Sequence, residues 1–88
     1  MRKITFTDSF RKDLAKFLRQ HQDLTGTIEK VFRFLETDVH TPSLRTHKLH
    51  GSLQKSYSCS VTYGYRIAFS FDDRYVYLES IGTHDEIY

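Results

Sequence analysis

The chain has 88 residues, 39% of them hydrophobic and 27% charged, with a formal net charge of +2. Those figures describe one water-soluble globular domain over residues 1–88 with a thin core, not a disordered tract or a pair of domains. No apolar run approaches the ~20 residues that span a bilayer and no charged-then-apolar leader follows Met1, while the lone Cys59 excludes an intrachain disulfide and a multi-cysteine zinc site, so a cytoplasmic protein without a membrane role is expected.

Residues 2–6 alternate polar and apolar, with Ile4 and Phe6 on one side, which predicts a short strand. Thr7 or Asp8 then offers an N-cap. Phe10, Leu14, Phe17 and Leu18 form the apolar stripe of an amphipathic helix reaching about His21. Its other face carries Arg11, Lys12, Lys16 and Arg19, most simply a solvated surface. After a short connection over 22–26, Thr25 or Thr27 can cap a second helix whose stripe is Ile28, Val31, Phe32 and Leu35. The short link implies antiparallel helices.

From 38 to about 56 neither period is sustained, and His40-Thr41-Pro42-Ser43 is a breaker cluster. A loop this long in a compact domain is often functional. Period two then takes over. Tyr57, Cys59, Val61 and Tyr63 alternate with small polar residues. Beyond Gly64, Tyr65, Ile67, Phe69 and Phe71 alternate with Arg66, Ala68 and Ser70. This is a hairpin turning over 63–65. Asp72-Asp73-Arg74 is the next turn, 75–81 is a last strand ending at Gly82, and 83–88 is a tail. The expected class is α+β: a mainly antiparallel sheet of about four strands with two N-terminal helices on one face, in the order β-α-α-β-β-β.

Charge is distributed unevenly along this order. Residues 39–71 contain no Asp or Glu but hold Arg45, Lys48, Lys55 and Arg66, with His40, His47 and His50. A third of a small domain kept free of carboxylates suggests a side that faces a polyanion. The even positions of the hairpin point away from the helices. With the hairpin centred on Gly64, Thr62 faces Arg66, Ser60 faces Ala68 and Ser58 faces Ser70. Arg66 then rises from a floor of short residues, and its planar fork suits a phosphate. The plainer reading pairs Arg66 with Asp72 or Asp73.

Metal-free RNA cleavage needs a base for the 2′-hydroxyl, an acid for the leaving 5′-oxygen and a cation for the phosphorane. Histidines with an arginine suit these roles near neutral pH. His47, His50 and His84 are the candidates; the alternative for each is a solvated histidine without a role. A zinc site of His47, His50, His84 and Asp85 has no supporting ligand spacing. Most of the tyrosines read as core edge, and one or two on the open face would stack a base.

Four segments, His47-Lys48-Leu49-His50-Gly51-Ser52-Leu53, Tyr57-Ser58-Cys59-Ser60-Val61, Tyr65-Arg66-Ile67-Ala68-Phe69 and Ile81-Gly82-Thr83-His84-Asp85-Glu86-Ile87-Tyr88, resemble in that order the RelE/ParE toxin superfamily. The RelE/StbE and YafQ-like branch is the most similar, and Phe6-Thr7-Asp8-Ser9-Phe10-Arg11-Lys12-Asp13-Leu14 fits it too. The resemblance implies a compact sheet with two helices on one side and a toxin of a type II toxin–antitoxin pair. Such a toxin enters the ribosomal A site and cuts mRNA through the 2′-hydroxyl, with no metal or other cofactor. A cognate antitoxin neutralises it in a hetero-oligomer.

By motif position His47 and His84 match the loop and tail histidines of the YafQ-like branch, Arg66 the strand arginine, and Tyr88 a C-terminal tyrosine. Tyr65 stands where a base-stacking tryptophan is usual. Ser60 and Gly64 depart from the pattern, replacing a histidine and an acid. The expected catalytic set is His47, Arg66, His84 and Tyr88. His84 is general acid or base, with Asp85 and Glu86 favouring its charged form, and His47 is its partner. Arg45, Lys48, His50, Lys55, Ser60 and Tyr65 are the expected RNA contacts. Two alternatives remain: a ParE-like gyrase inhibitor without enzymatic activity, and an inert homologue that only binds its antitoxin. The enzymatic expectation requires the tail to bring His84 back over the open face beside Arg66.

Overall fold

The computed structural model describes residues 1–49 and 55–87. Strand β1 (Lys3–Phe6) leads into helix α1 (Asp8–Gln20), and α2 (Thr25–Thr37) follows through a 3-10 turn at Gln22–Leu24. A second 3-10 turn, Pro42–Leu44, precedes the two-residue strand β2 (His47–Lys48). Then come β3 (Tyr57–Ser60), β4 (Tyr65–Phe71), β5 (Tyr75–Thr83) and a terminal turn of helix, α3 (His84–Ile87). The sheet has five strands in the order β1-β5-β4-β3-β2. Four were expected; the fifth is β2, too short for any periodicity to reveal.

Thr7 caps α1 as its sequence position suggests: its Oγ1 accepts from Phe10 N at 3.1 Å. The second cap is different. Leu24 occupies the N-cap of α2, with no side-chain hydrogen bond. Thr25 Oγ1 instead donates to Gln22 O at 2.9 Å, closing the 3-10 turn. That turn runs directly into α2, so no separate threonine cap is formed.

Both helical stripes cover one side of the sheet. Phe10 and Phe17 from α1, with Ile28, Val31 and Leu35 from α2, meet Cys59, Ile67, Phe69, Val76 and Leu78 from the strands, and all are buried. A fully buried Phe, Leu or Ile contributes about 1.5–3 kcal/mol, so this single layer carries the fold.

Strands β3, β4 and β5 are antiparallel neighbours, as in a meander, but β1 joins the far edge of β5 in parallel, Lys3 opposite Tyr75 and Phe6 opposite Leu78. The hairpin register also departs from the expected one. Ser60 lies opposite Arg66, Cys59 opposite Ile67 and Ser58 opposite Ala68. The centre of symmetry is therefore Tyr63 rather than Gly64, and Val61 N donates to Tyr65 O at 3.0 Å across the loop. Moving the centre by one residue slides the partners by two. That keeps every side chain on its face while changing whom it meets. Finally, β5 shifts register between Ala68 and Phe69 of its partner, leaving Glu79 as the extra residue. Leu78 and Ile81 thus both align with helix-facing residues of β4 despite their spacing of three. The same shift sets Gly82 opposite Arg66.

Candidate functional site

The even residues of β3 and β4 form the face away from the helices. Arg66 stands in the middle of it, half-buried, and its Nη1 donates to Ser58 Oγ at 3.1 Å. Ser58 is fully enclosed, at 0% exposure, so the guanidinium is tethered to a fixed point of the sheet. Ser60 lies beside it across the strand pair, its own Oγ donating to Thr62 O at 3.3 Å.

A cleft of about 540 Å³ opens here, lined by Ser43, Arg45, Ser60, Val61, Thr62, Tyr63, Arg66 and His84. Three chain segments converge on it. The 3-10 turn delivers Ser43, and Arg45 follows in the left-handed conformation, φ 49°, its N–H donating to Pro42 O. The hairpin supplies Arg66 and the tip. The tail supplies His84, which opens α3 immediately after β5. The tail therefore does return to the hairpin, and Arg66 and His84 line the same cleft.

A reciprocal pair of hydrogen bonds sets α3. Thr83 N donates to Glu86 Oε1 at 2.8 Å, and Glu86 N donates to Thr83 Oγ1 at 3.3 Å. This is a capping box at a helix start. It holds the Glu86 carboxyl below its ordinary value of 4.5, chiefly through the Thr83 backbone N–H, with the Thr83 hydroxyl and Lys16 assisting. Glu86 was expected to favour charge on His84, but its side chain turns to Thr83. Asp85 is the acid near the imidazole, Oδ1 lying 3.7 Å from His84 Nδ1, with both side chains largely in solvent. Gly82 makes room for the box, since a Cβ there would fall 3.0 Å from Glu86 Oε1 and 3.1 Å from Glu86 Cβ.

The remaining candidates divide by position. His47 pairs with Ser58, placing it on the Arg66 face one strand farther out, outside the lining of the cleft. Its Nδ1 lies 3.1 Å from Arg45 O. A carbonyl only accepts, so the form of the ring that satisfies this contact is one with a proton on Nδ1. Lys48 pairs with Tyr57 and so alternates to the helix side. Lys55 is exposed just ahead of β3 and does not line the cleft. Tyr65 also belongs to the helix side. Its ring meets Phe17 edge-on at 5.0 Å and His21 at 4.8 Å, inside a separate hollow of about 410 Å³ lined also by Asp13, Lys16 and Glu86. Odd parity within the hairpin fixes that placement and separates Tyr65 from Arg66. His50 and Tyr88 lie outside the described residues.

One aromatic residue in the cleft was not anticipated. Tyr63 stands at the hairpin tip, at 103% exposure, and lines the cleft beside Arg66. Its alternation with Val61 and Cys59 suggested a core-facing strand residue. Only the true hairpin centre shows it to be the apex. Among the described residues no group of three or more His, Cys, Asp or Glu is arranged to hold a metal ion, and no helix is long and apolar enough to cross a membrane.

Several solved structures are similar over all or nearly all of the chain, three of them as follows. A metal-bound toxin from Helicobacter pylori is 24% identical, with 100% of each chain covered and a TM-score of 0.83. YafQ from E. coli strain BL21(DE3) is 17% identical, covering 100% of this chain and 99% of its own, TM-score 0.80. The toxin–antitoxin complex DinJ–YafQ of E. coli matches at 18% identity, 99% and 97% coverage and TM-score 0.81. These likenesses establish the RelE-like fold. No curated protein matches the chain. Residues 2–88 match the family model described as bacterial toxin of type II toxin-antitoxin system, YafQ, and with nearly every residue inside that match, the chain belongs to the YafQ family of type II toxins.

Proposed function

We propose that this toxin is an endoribonuclease that cuts mRNA on the ribosome and is neutralised by a cognate antitoxin in the cytoplasm. The observation that supports this reading most is the convergence of Arg66, His84 and Arg45 in one cleft whose described lining contains no carboxylate. Such a cleft favours a phosphodiester and a transition state with added negative charge.

In this reading the 2′-hydroxyl attacks the adjacent phosphorus while losing its proton to a base. The 5′-oxygen leaves as it gains a proton from an acid. The products are a 2′,3′-cyclic phosphate and a 5′-hydroxyl. Arg66, braced by Ser58, holds the non-bridging oxygens. His84, at the solvent-open mouth beside Asp85, gives the proton to the leaving oxygen. His47, one strand farther out on the Arg66 face, is the base by motif position, and in this reading the bound RNA reaches from the cleft to its ring, which Arg45 O orients at Nδ1. Arg45 and the exposed Tyr63 contact the neighbouring phosphate and base. Ser60 contributes a hydroxyl to the floor, Lys55 and His50 are further RNA contacts in this reading and Tyr88 the further catalytic group that the resemblance implies, whereas Lys48 and Tyr65, on the helix side, do not belong to this cleft.

The test is primer extension on ribosome-bound mRNA after expression of wild type, His84→Ala and Arg66→Ala. Cleavage by wild type with loss of at least about 100-fold in each variant is expected. Equal cutting by all three would refute the site. Inhibition of supercoiling without RNA cleavage would favour a gyrase inhibitor.

A further inference from the structure

The cleft does not end at the hairpin. Ser43, Ser60 and Val61 line it and also line a second hollow of about 330 Å³, whose far wall is α2, with Thr27, Lys30 and Phe34. The two spaces adjoin at these three residues, and together they make a groove with His84 at one end and the helix at the other. Lys30 reaches this groove with its ammonium 5.8 Å from the centre of the Phe34 ring, a cation–π contact that anchors the side chain at the helix surface.

Charge separates this groove from two other hollows of the surface. Among the described residues no Asp or Glu lines either of its two parts. The hollow between α1 and β5 carries Asp13 and Glu86, and the one beside β1 carries Glu79. Lys16 offsets part of that acid in the first of these two, whereas the groove holds cations with no carboxylate beside them and so admits a polyanion more readily. Lys30 and Thr27 lie outside the acid-free stretch of sequence, so this continuation exists only in the folded chain.

We propose that the α2 end of the groove is a second nucleotide subsite for single-stranded RNA, in which Lys30 takes a phosphate farther along the strand than those met by Arg66 and Arg45. This rests on the ribonuclease reading and adds a minimum substrate length to it. A groove with cations at both ends and a floor of Ser43, Ser60 and Val61 between them fits a chain of nucleotides better than a single one. Thr27 adds a hydroxyl to the same wall, a group that can bond a ribose or phosphate oxygen.

The probe is a ladder of 2′-O-methyl oligoadenylates, whose blocked 2′-oxygen resists cleavage, titrated against the full chain at several salt concentrations. Wild type gains affinity as the ladder lengthens beyond the dinucleotide. Lys30→Gln loses that gain, binding the longer members roughly threefold to tenfold more weakly, with a salt slope lower by about 0.7, the value for one phosphate contact on a single strand. Arg19→Gln, which removes an exposed charge from α1 lining neither part of the groove, leaves the length dependence intact. Equal behaviour of Lys30→Gln and Arg19→Gln overturns the subsite. So does a Lys30→Gln variant that loses antitoxin affinity while binding RNA as wild type does, since that makes the surface a protein-docking face. Lys30-dependent binding in a protein that never cuts mRNA leaves the subsite standing and removes the ribonuclease reading. Normal cutting with no Lys30 dependence does the reverse.

Discussion

Ser58→Ala tests how the sheet holds its arginine. The wild-type Oγ is fully buried and accepts from Arg66 Nη1 at 3.1 Å. A hydrogen bond to a charged donor contributes about 1.5–3 kcal/mol when shielded. Arg66 is half-buried and reaches water, which brings the net value down to about 1 kcal/mol. Ser58→Ala should therefore lower the melting temperature by about 4–8 °C in a domain of this size. It should lower the cleavage rate about fivefold through loss of orientation, since 1.36 kcal/mol is tenfold. Urea unfolding of wild type, Ser58→Ala, Arg66→Ala and the double variant closes a double-mutant cycle, with an expected coupling energy of about 1 kcal/mol. Coupling below about 0.3 kcal/mol, within the additivity of independent sites, would show that Ser58 does not hold the guanidinium.

Three more outcomes follow from the geometry. Gly82→Ala places a methyl 3.1 Å from Glu86 Cβ, so Glu86 and its turn of helix must give by a few tenths of an ångström; a loss of up to about 1 kcal/mol from the loosened cap should accompany a fall in cleavage of up to roughly tenfold, and unchanged activity would detach α3 from function. The Asp72 carboxyl is held below its ordinary 3.8 by the Tyr77 hydroxyl, then by the Arg74 and Tyr75 N–H groups, and Glu86 is depressed by its capping box. A depressed carboxyl stabilises in full above its unfolded value and loses that stabilisation as pH falls through its folded value. Melting temperature should thus be insensitive to these groups above pH 4.5 and fall below it, and the double variant Asp72→Asn with Glu86→Gln should show a shallower fall; an identical acid profile would refute the assignment. The Cys59 thiol is pushed up to about 12 by burial, against the opposing pull of Arg66 and the Ile67 backbone. It should resist alkylation in the native chain at neutral pH and react on unfolding, and rapid native labelling would contradict the packing of β3.

Local features of this fold could be read from sequence where one element decides them alone. Thr7 before the Phe10 stripe gave a correct cap, and alternation in the hairpin assigned the two faces correctly. What escaped reading depends on a partner. The hairpin centre is set by how the loop closes from Val61 to Tyr65, and alternation is blind to a slide of two residues. The bulge at Glu79 appears as a broken period in β5 until β4 is laid beside it. β2 has two residues and exists only through its bonds to β3. The cleft was half legible: Arg66 stood out as the lone charge among short residues, and the tail histidine was placed from the family resemblance. Tyr63 was hidden by a pattern that also describes a core strand, and Lys30 by its distance in sequence from the basic stretch.

The parallel pairing of β1 with β5 also orders events in time. β1 is made first, yet its partner is the last strand to be synthesised, and Lys3 waits for Tyr75. Everything from β1 through β5 must be available before that ladder can close, and the same strand delivers Gly82 opposite Arg66 and His84 to the cleft. A nascent chain ending anywhere before β5 has neither its sheet completed nor its cleft assembled.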